Sequence, residues 1–141
     1  MPVKTADAVW NGSLVDGKGH LTTQSKTVNV DYAWKSRSED APGTNPEELI
    51  AAAHAGCFCM ALSHLLTGAG HAPKELKAHA AVSFEKQGDG FAITKIHLTL
   101  HADVPGIAKA KFDELAAGAK AGCPVSKALA SVPITLDATL A

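Results

Sequence analysis

Hydrophobic and polar positions change rhythm twice along this chain. In the first third, short apolar runs alternate with turn residues. Ala8-Val9-Trp10 and Ser13-Leu14-Val15 flank Asn11-Gly12 and read as strands, and Asp16-Gly17-Lys18-Gly19 is a further turn signal. His20 to Ser25 and Thr27 to Trp34 also read as strands, and the polar stretch from Lys35 to Gly43 reads as a loop. From Leu49 to Leu66 the chain is apolar on nearly every helical face, with Ala51, Ala52, Ala53, Ala55 and Gly56 among its small residues. A helix without a polar face must be covered on every side, which predicts cover from a second copy of the chain as well as from its own. Leu76 to Lys86 and Phe91 to Asp103 then alternate with a period near two around Gln87-Gly88-Asp89-Gly90, a hairpin signal.

Element ends are marked by specific residues. Asn45 is a good N-cap, Pro46 suits the first helical position, and Glu48 falls where a capping-box glutamate reaches back. This predicts a helix to about Thr67, stopped at Gly68-Ala69-Gly70. Val104-Pro105-Gly106 ends the second hairpin strand. Ala108 to Ala121 reads as an amphipathic helix with Phe112, Leu115, Ala116 and Ala119 inward. Pro124 opens a short helix through about Ala130 and so places Cys123 at its N-cap; Ile134 to Leu140 is a last strand. Strands, an apolar helix, a hairpin, two helices and a strand make an α+β fold, and 141 residues without repeats or linkers predict a single domain over 1–141.

Charge and composition narrow the function. A formal net charge of -1 with scattered basic residues leaves no footprint for nucleic acid or for an acidic membrane surface. The Leu49–Leu66 stretch contains His54, Ser63 and His64 and follows two glutamates, so a helix buried in protein is expected there rather than a membrane span. Met1 to Asp7 has no apolar core of the secretory kind, which predicts a cytoplasmic, reducing setting. In that setting cysteines are more often catalytic or metal-binding than structural disulfides.

Three cysteines therefore become the candidates. Cys57, inside the apolar helix, is either a small packed hydrophobe or a nucleophile, and a nucleophile there needs a nearby cation to become a thiolate. Cys123, at a helix N-terminus, faces free backbone amides, which suit a good leaving group in disulfide exchange; capping and packing is the alternative. Cys59 points about 200° away from Cys57 on one helix, so the two cannot share a metal, and Cys59 reads as core packing. His54, Cys57 and His64 lie near one helix face, but no CxxC or HExxH spacing accompanies them, so no metal site is expected and His54 is read as packing against or tuning Cys57. Arg37 is the only arginine, a fork that could hold a carboxylate and still face an anionic sulfur, or a solvated loop residue. Glu47 lies about 15 Å from Cys57 along a helix and could join a site only through a long cation or from a second subunit.

Thr44-Asn45-Pro46-Glu47-Glu48-Leu49-Ile50-Ala51-Ala52-Ala53-His54-Ala55-Gly56-Cys57-Phe58 resembles the signature around the peroxidatic cysteine of the OsmC/Ohr family of thiol peroxidases. Ala121-Gly122-Cys123-Pro124-Val125-Ser126 resembles that family's second-cysteine motif, and Phe91 to Ile96 with the Val104-Pro105-Gly106 break resembles it too. The likeness spans essentially the whole chain. The loop arginine and His54 place it nearer the osmotically inducible OsmC branch. The resemblance implies an OsmC-like fold, with antiparallel sheets wrapped around a long central helix in an intertwined homodimer. It implies reduction of hydroperoxides, organic ones preferred. Cys57 would attack the peroxide and become a sulfenic acid, Cys123 would resolve it as a disulfide, Arg37 would stabilise the thiolate, and Glu47 would orient Arg37. A dithiol, lipoyl groups among the options, would recycle the enzyme, with no bound cofactor. Cys59 departs from the serine or other small residue common there. The competing reading is a thiol redox sensor or small-molecule-binding protein that does not turn over.

Overall fold

The computed structural model describes all residues 1–141. The chain forms two compact units, Met1–Leu49 and Ile50–Ala141.

The first unit is a three-stranded antiparallel sheet, β1 (Ala6–Asn11), β2 (Lys18–Thr23) and β3 (Asn29–Tyr32), followed by the short helix α1 (Trp34–Ser38). Trp10, Gly19 and Tyr32 stand in one row across the three strands. The indole and phenol rings close over Gly19, with centroids 5.4 Å apart. A Cβ on Gly19 would lie 2.4 Å from the Tyr32 ring and 2.6 Å from the Trp10 ring, so only glycine fits there. Two expectations change in this unit. Leu14 and Val15 are in a turn rather than a strand, and are 57% and 61% exposed, with Gly12 at φ +98 beginning the reversal. The expected loop after Trp34 starts with a helical turn instead. Ser36 secures it, accepting from the Ala33 N–H at 3.1 Å and donating to the Thr44 carbonyl at 2.7 Å.

The long helix α2 (Pro46–Gly68) starts in the first unit and runs through the second. The Asn45 side chain caps it as expected, accepting from the Glu48 N–H at 2.8 Å. The capping box is only half formed, because the Glu48 carboxylate takes the Thr44 hydroxyl at 2.8 Å instead of reaching back to Asn45.

In the second unit, β4 (Glu75–Gln87) and β5 (Gly90–Asp103) form the expected antiparallel hairpin. They are followed by α3 (Lys109–Gly122), α4 (Pro124–Ala128) and β6 (Ile134–Leu140). β6 runs parallel to β5, the one pairing that departs from the antiparallel sheets the resemblance implies: α3 and α4 form the long crossover that a parallel neighbour requires. The inward rows are in register: Val82–Ile96–Ile134, Ala80–Leu98–Leu136 and Ala78–Leu100–Ala138. Against them pack Phe58, Leu62 and Leu66 of α2 and Phe112, Ala116 and Ala119 of α3. The buried stripe of α2 in this unit is thus His54, Phe58, Leu62 and Leu66, one residue in four. Within the chain only 22% of the helix's most apolar 18-residue window is buried, and Met60 is 75% exposed. By length and composition alone α2 could also cross a membrane.

Candidate active site

Four residues singled out from the sequence fall into two pairs, one in each unit. Arg37 meets Glu47 in the first. The α1 turn presents the guanidinium, and the first turn of α2 presents the carboxylate. Arg37 Nη2 donates to Glu47 Oε1 at 2.7 Å, and Nε donates to both carboxylate oxygens at 3.1 Å. Glu47 is buried, and the Arg37 side chain is 34% exposed. Asn45 fixes their relative position. Its Oδ1 caps α2, and its Nδ2 donates to the Ser36 carbonyl of α1 at 2.9 Å. One asparagine therefore ties the helix that bears Glu47 to the helix that bears Arg37. The fork contact is charge-assisted, and a carboxylate held on two sides keeps the guanidinium in one orientation. A cavity of about 210 Å³ lies beside Arg37, lined by Trp10, Leu14, Tyr32, Ala33, Trp34 and Pro46.

Cys57 meets Cys123 in the second unit. Cys123 is fully buried at the N-cap of α4, where its sulfur accepts from the Ser126 N–H at 3.3 Å. Burial pushes the Cys57 thiol up, the Val125 backbone N–H pulls it back down, and the adjoining Cys123 thiol pushes it up again. The first turn of α4 thus offers one amide to each sulfur. No cation beside Cys57 lowers its pKa within this unit. An apolar cleft of about 610 Å³ opens on Cys57, with Met60, Ala61 and Leu65 from α2, Gly118 and Ala119 from α3, and Pro124 among its walls.

Cys59 points elsewhere, its sulfur 3.8 Å from the Leu76 carbonyl. Burial raises its pKa, and the Ala78 backbone N–H opposes that. His54 is fully buried, and its Nε2 lies 2.7 Å from Ser126 Oγ. Ser126 in turn accepts from Cys123 Sγ at 3.1 Å. Sequence reasoning passed over Ser126. Its signal was its position, three residues after an N-cap and so back within reach of Cys123. No cluster of three or more histidine, cysteine or carboxylate side chains could hold a metal ion.

The family model for OsmC-like proteins matches residues 38–137. Peroxiredoxin OsmC of Escherichia coli (strain K12) is 49% identical over 135 residues, which is 95% of this chain and 94% of that protein. The organic hydroperoxide resistance protein OhrB of Bacillus subtilis (strain 168) is 31% identical over 112 residues, 78% of this chain and 80% of its own. The crystal structure of Bacillus subtilis OhrB superposes with a TM-score of 0.71 at 29% identity, over 96% of this chain and 98% of that one. A Legionella pneumophila protein described as an organic hydroperoxide resistance protein OsmC superposes with a TM-score of 0.73 at 26% identity, over 99% of each chain.

Proposed function

The chain belongs to the OsmC-like protein family, and on that premise we propose that it is a thiol-dependent peroxidase that reduces organic hydroperoxides to alcohols. The observation that carries the reading is the sulfur pair: two thiols from distant segments, each given a backbone amide by one helix turn, beside an apolar cleft.

The Cys57 thiolate attacks the peroxide oxygen, the O–O bond breaks, and the alcohol leaves with a proton. Cys57 becomes a sulfenic acid. Cys123 then attacks Cys57, water leaves, and a Cys57–Cys123 disulfide forms. A dithiol, a lipoyl group being one candidate, restores both thiols by exchange. No bound cofactor takes part. The second unit's own environment favours the protonated form of Cys57, so the thiolate needs a cation. Arg37 fills that role in this proposal, and Glu47 keeps the guanidinium oriented. The apolar cleft beside Cys57 favours greasy hydroperoxides over hydrogen peroxide. A second copy of the chain covers the open apolar face of α2 and makes a homodimer, and the protein works in the cytoplasm.

The test is consumption of cumene hydroperoxide with dihydrolipoamide. Wild type and Cys59→Ser should turn over at similar rates, and Cys57→Ser should not turn over. Cys123→Ser should be oxidised once and then accumulate the sulfenic acid. Oxidation of folded wild type without turnover would replace the peroxidase with a redox sensor.

A further inference from the structure

Cys123, Ser126 and His54 form a buried hydrogen-bonded chain that the peroxidase scheme leaves unused. Cys123 Sγ donates to Ser126 Oγ at 3.1 Å, and Ser126 Oγ lies 2.7 Å from His54 Nε2. The Ser126 hydroxyl has one proton. With the thiol donating to its oxygen, that proton points to Nε2, so the imidazole accepts there and carries its own proton on Nδ1. His54 Nδ1 is buried without any partner. A histidine kept in a core for structure normally has both ring nitrogens satisfied. Here the ring makes one polar contact, and that contact leads through a single hydroxyl to a reactive sulfur. His54 and Ser126 are 72 residues apart in sequence, so the alignment is made by packing α2 against α4 and not by local turn geometry.

We propose that Ser126 and His54 form a proton relay that deprotonates Cys123 as it attacks the oxidised Cys57. The inference rests on the peroxidase reading for the identity of the step it serves. In that step Cys123 Sγ passes its proton to Ser126 Oγ, and Ser126 passes its own to His54 Nε2. The Cys123 electron pair forms the S–S bond, and the Cys57 S–O bond breaks. The departing hydroxide takes up a solvent proton and leaves as water. His54, which burial pushes towards its neutral form, then hands its extra proton back through the Ser126 hydroxyl, its one polar contact, and from there it reaches solvent. The sum is one sulfenic acid and one thiol converted to one disulfide and one water. The Ser126 N–H, already on Cys123 Sγ, stabilises the charge that develops on sulfur before the bond closes. Ser126 touches a reacting atom and is a catalytic residue of the closing step. His54 acts through it and is a positioning residue.

The test separates the two half-reactions. Reduced protein is mixed rapidly with cumene hydroperoxide, and sulfenic acid, trapped with dimedone, and disulfide are followed by mass. In Ser126→Ala and His54→Asn, disulfide closure should slow by about 10²-fold, the lower end of the range for general acid–base catalysis, and trapped sulfenic acid should rise. The rate of loss of the Cys57 thiol should change much less than closure. Ser126→Thr, which keeps the hydroxyl, should recover most of the closure rate. Closure in wild type should be slower in deuterated water, and that sensitivity should be lost in Ser126→Ala. Wild-type closure in folded Ser126→Ala, or equal slowing of both half-reactions, would overturn the relay alone. If peroxide does not oxidise wild-type Cys57, the peroxidase reading falls. Diamide, which joins the same two thiols without peroxide, then still decides the relay: closure as fast in Ser126→Ala as in wild type overturns it.

Discussion

Arg37 and Glu47 lie ten residues apart and are joined by a clip of local hydrogen bonds through Ser36 and Asn45. Cys57 and Cys123 meet only because α2, α3 and the β4–β5–β6 sheet share one core. The difference follows from what each pair costs to bury. An ion pair loses much hydration when buried, so it is sited where the arginine keeps part of its water and both carboxylate oxygens are held by the guanidinium. A thiol loses little hydration and can be placed in a packed interior at small cost. Charge is therefore positioned by short-range backbone structure, and sulfur by long-range packing.

The largest expected effect tests the charged half. Arg37→Ala should slow the first oxidation of Cys57 by about 10²–10³-fold, the usual loss when one preorganised donor at a developing charge is removed. Glu47→Gln, which leaves the cation but loosens it, should cost less. Rapid-mixing thiol loss measures both. Equal rates in all three proteins would leave the sulfur pair working alone and end the division of labour.

A smaller effect probes the buried half. Burial lowers the His54 pKa, so below its ordinary value near 6.5 the unfolded chain binds a proton that the folded chain refuses. Stability should therefore fall as pH drops through about 6.5, by at most about 1.4 kcal/mol per pH unit from this group. Urea unfolding at pH 7.5 and 5.5 should show a shallower loss in His54→Asn than in wild type. Identical slopes would mean that His54 is not held neutral by the core.

The smallest effect sharpens the local half. Asn45→Ala removes the cap of α2 and the strap to Ser36, and should destabilise the protein by about 1 kcal/mol. It should also slow Cys57 oxidation modestly through Arg37, while disulfide closure stays at the wild-type rate. If closure slows as well, the two pairs are not independent.

Most of the local structure was legible in the sequence. Asn45-Pro46 fixed the start of α2, Cys123-Pro124 the start of α4, and Gln87 to Gly90 the hairpin, because each is a short-range effect of caps and turns. Ser13-Leu14-Val15 misled because strand propensity rewards apolar side chains, and here they stay in solvent on a turn. The α1 turn went unseen because it is held by Ser36 to Thr44, a contact with no periodicity. At the site, the cysteines and the Arg37–Glu47 pair stood out by residue type and by family resemblance. The contact of His54 with Ser126 did not, since no local pattern links residues 72 positions apart.

The placement of Cys57 and Cys123 also makes the redox state a property of the whole chain. Between them lie β4, β5 and α3, so a bond between the two sulfurs would close a loop of about 65 residues. By loop-closure entropy alone, such a cross-link restricts the unfolded chain by about 4 kcal/mol at 25 °C. The oxidised protein would then melt at a higher temperature than the reduced one. Each catalytic cycle would alternately tether and release the fold, and a thermal melt could report which half of the cycle the protein occupies.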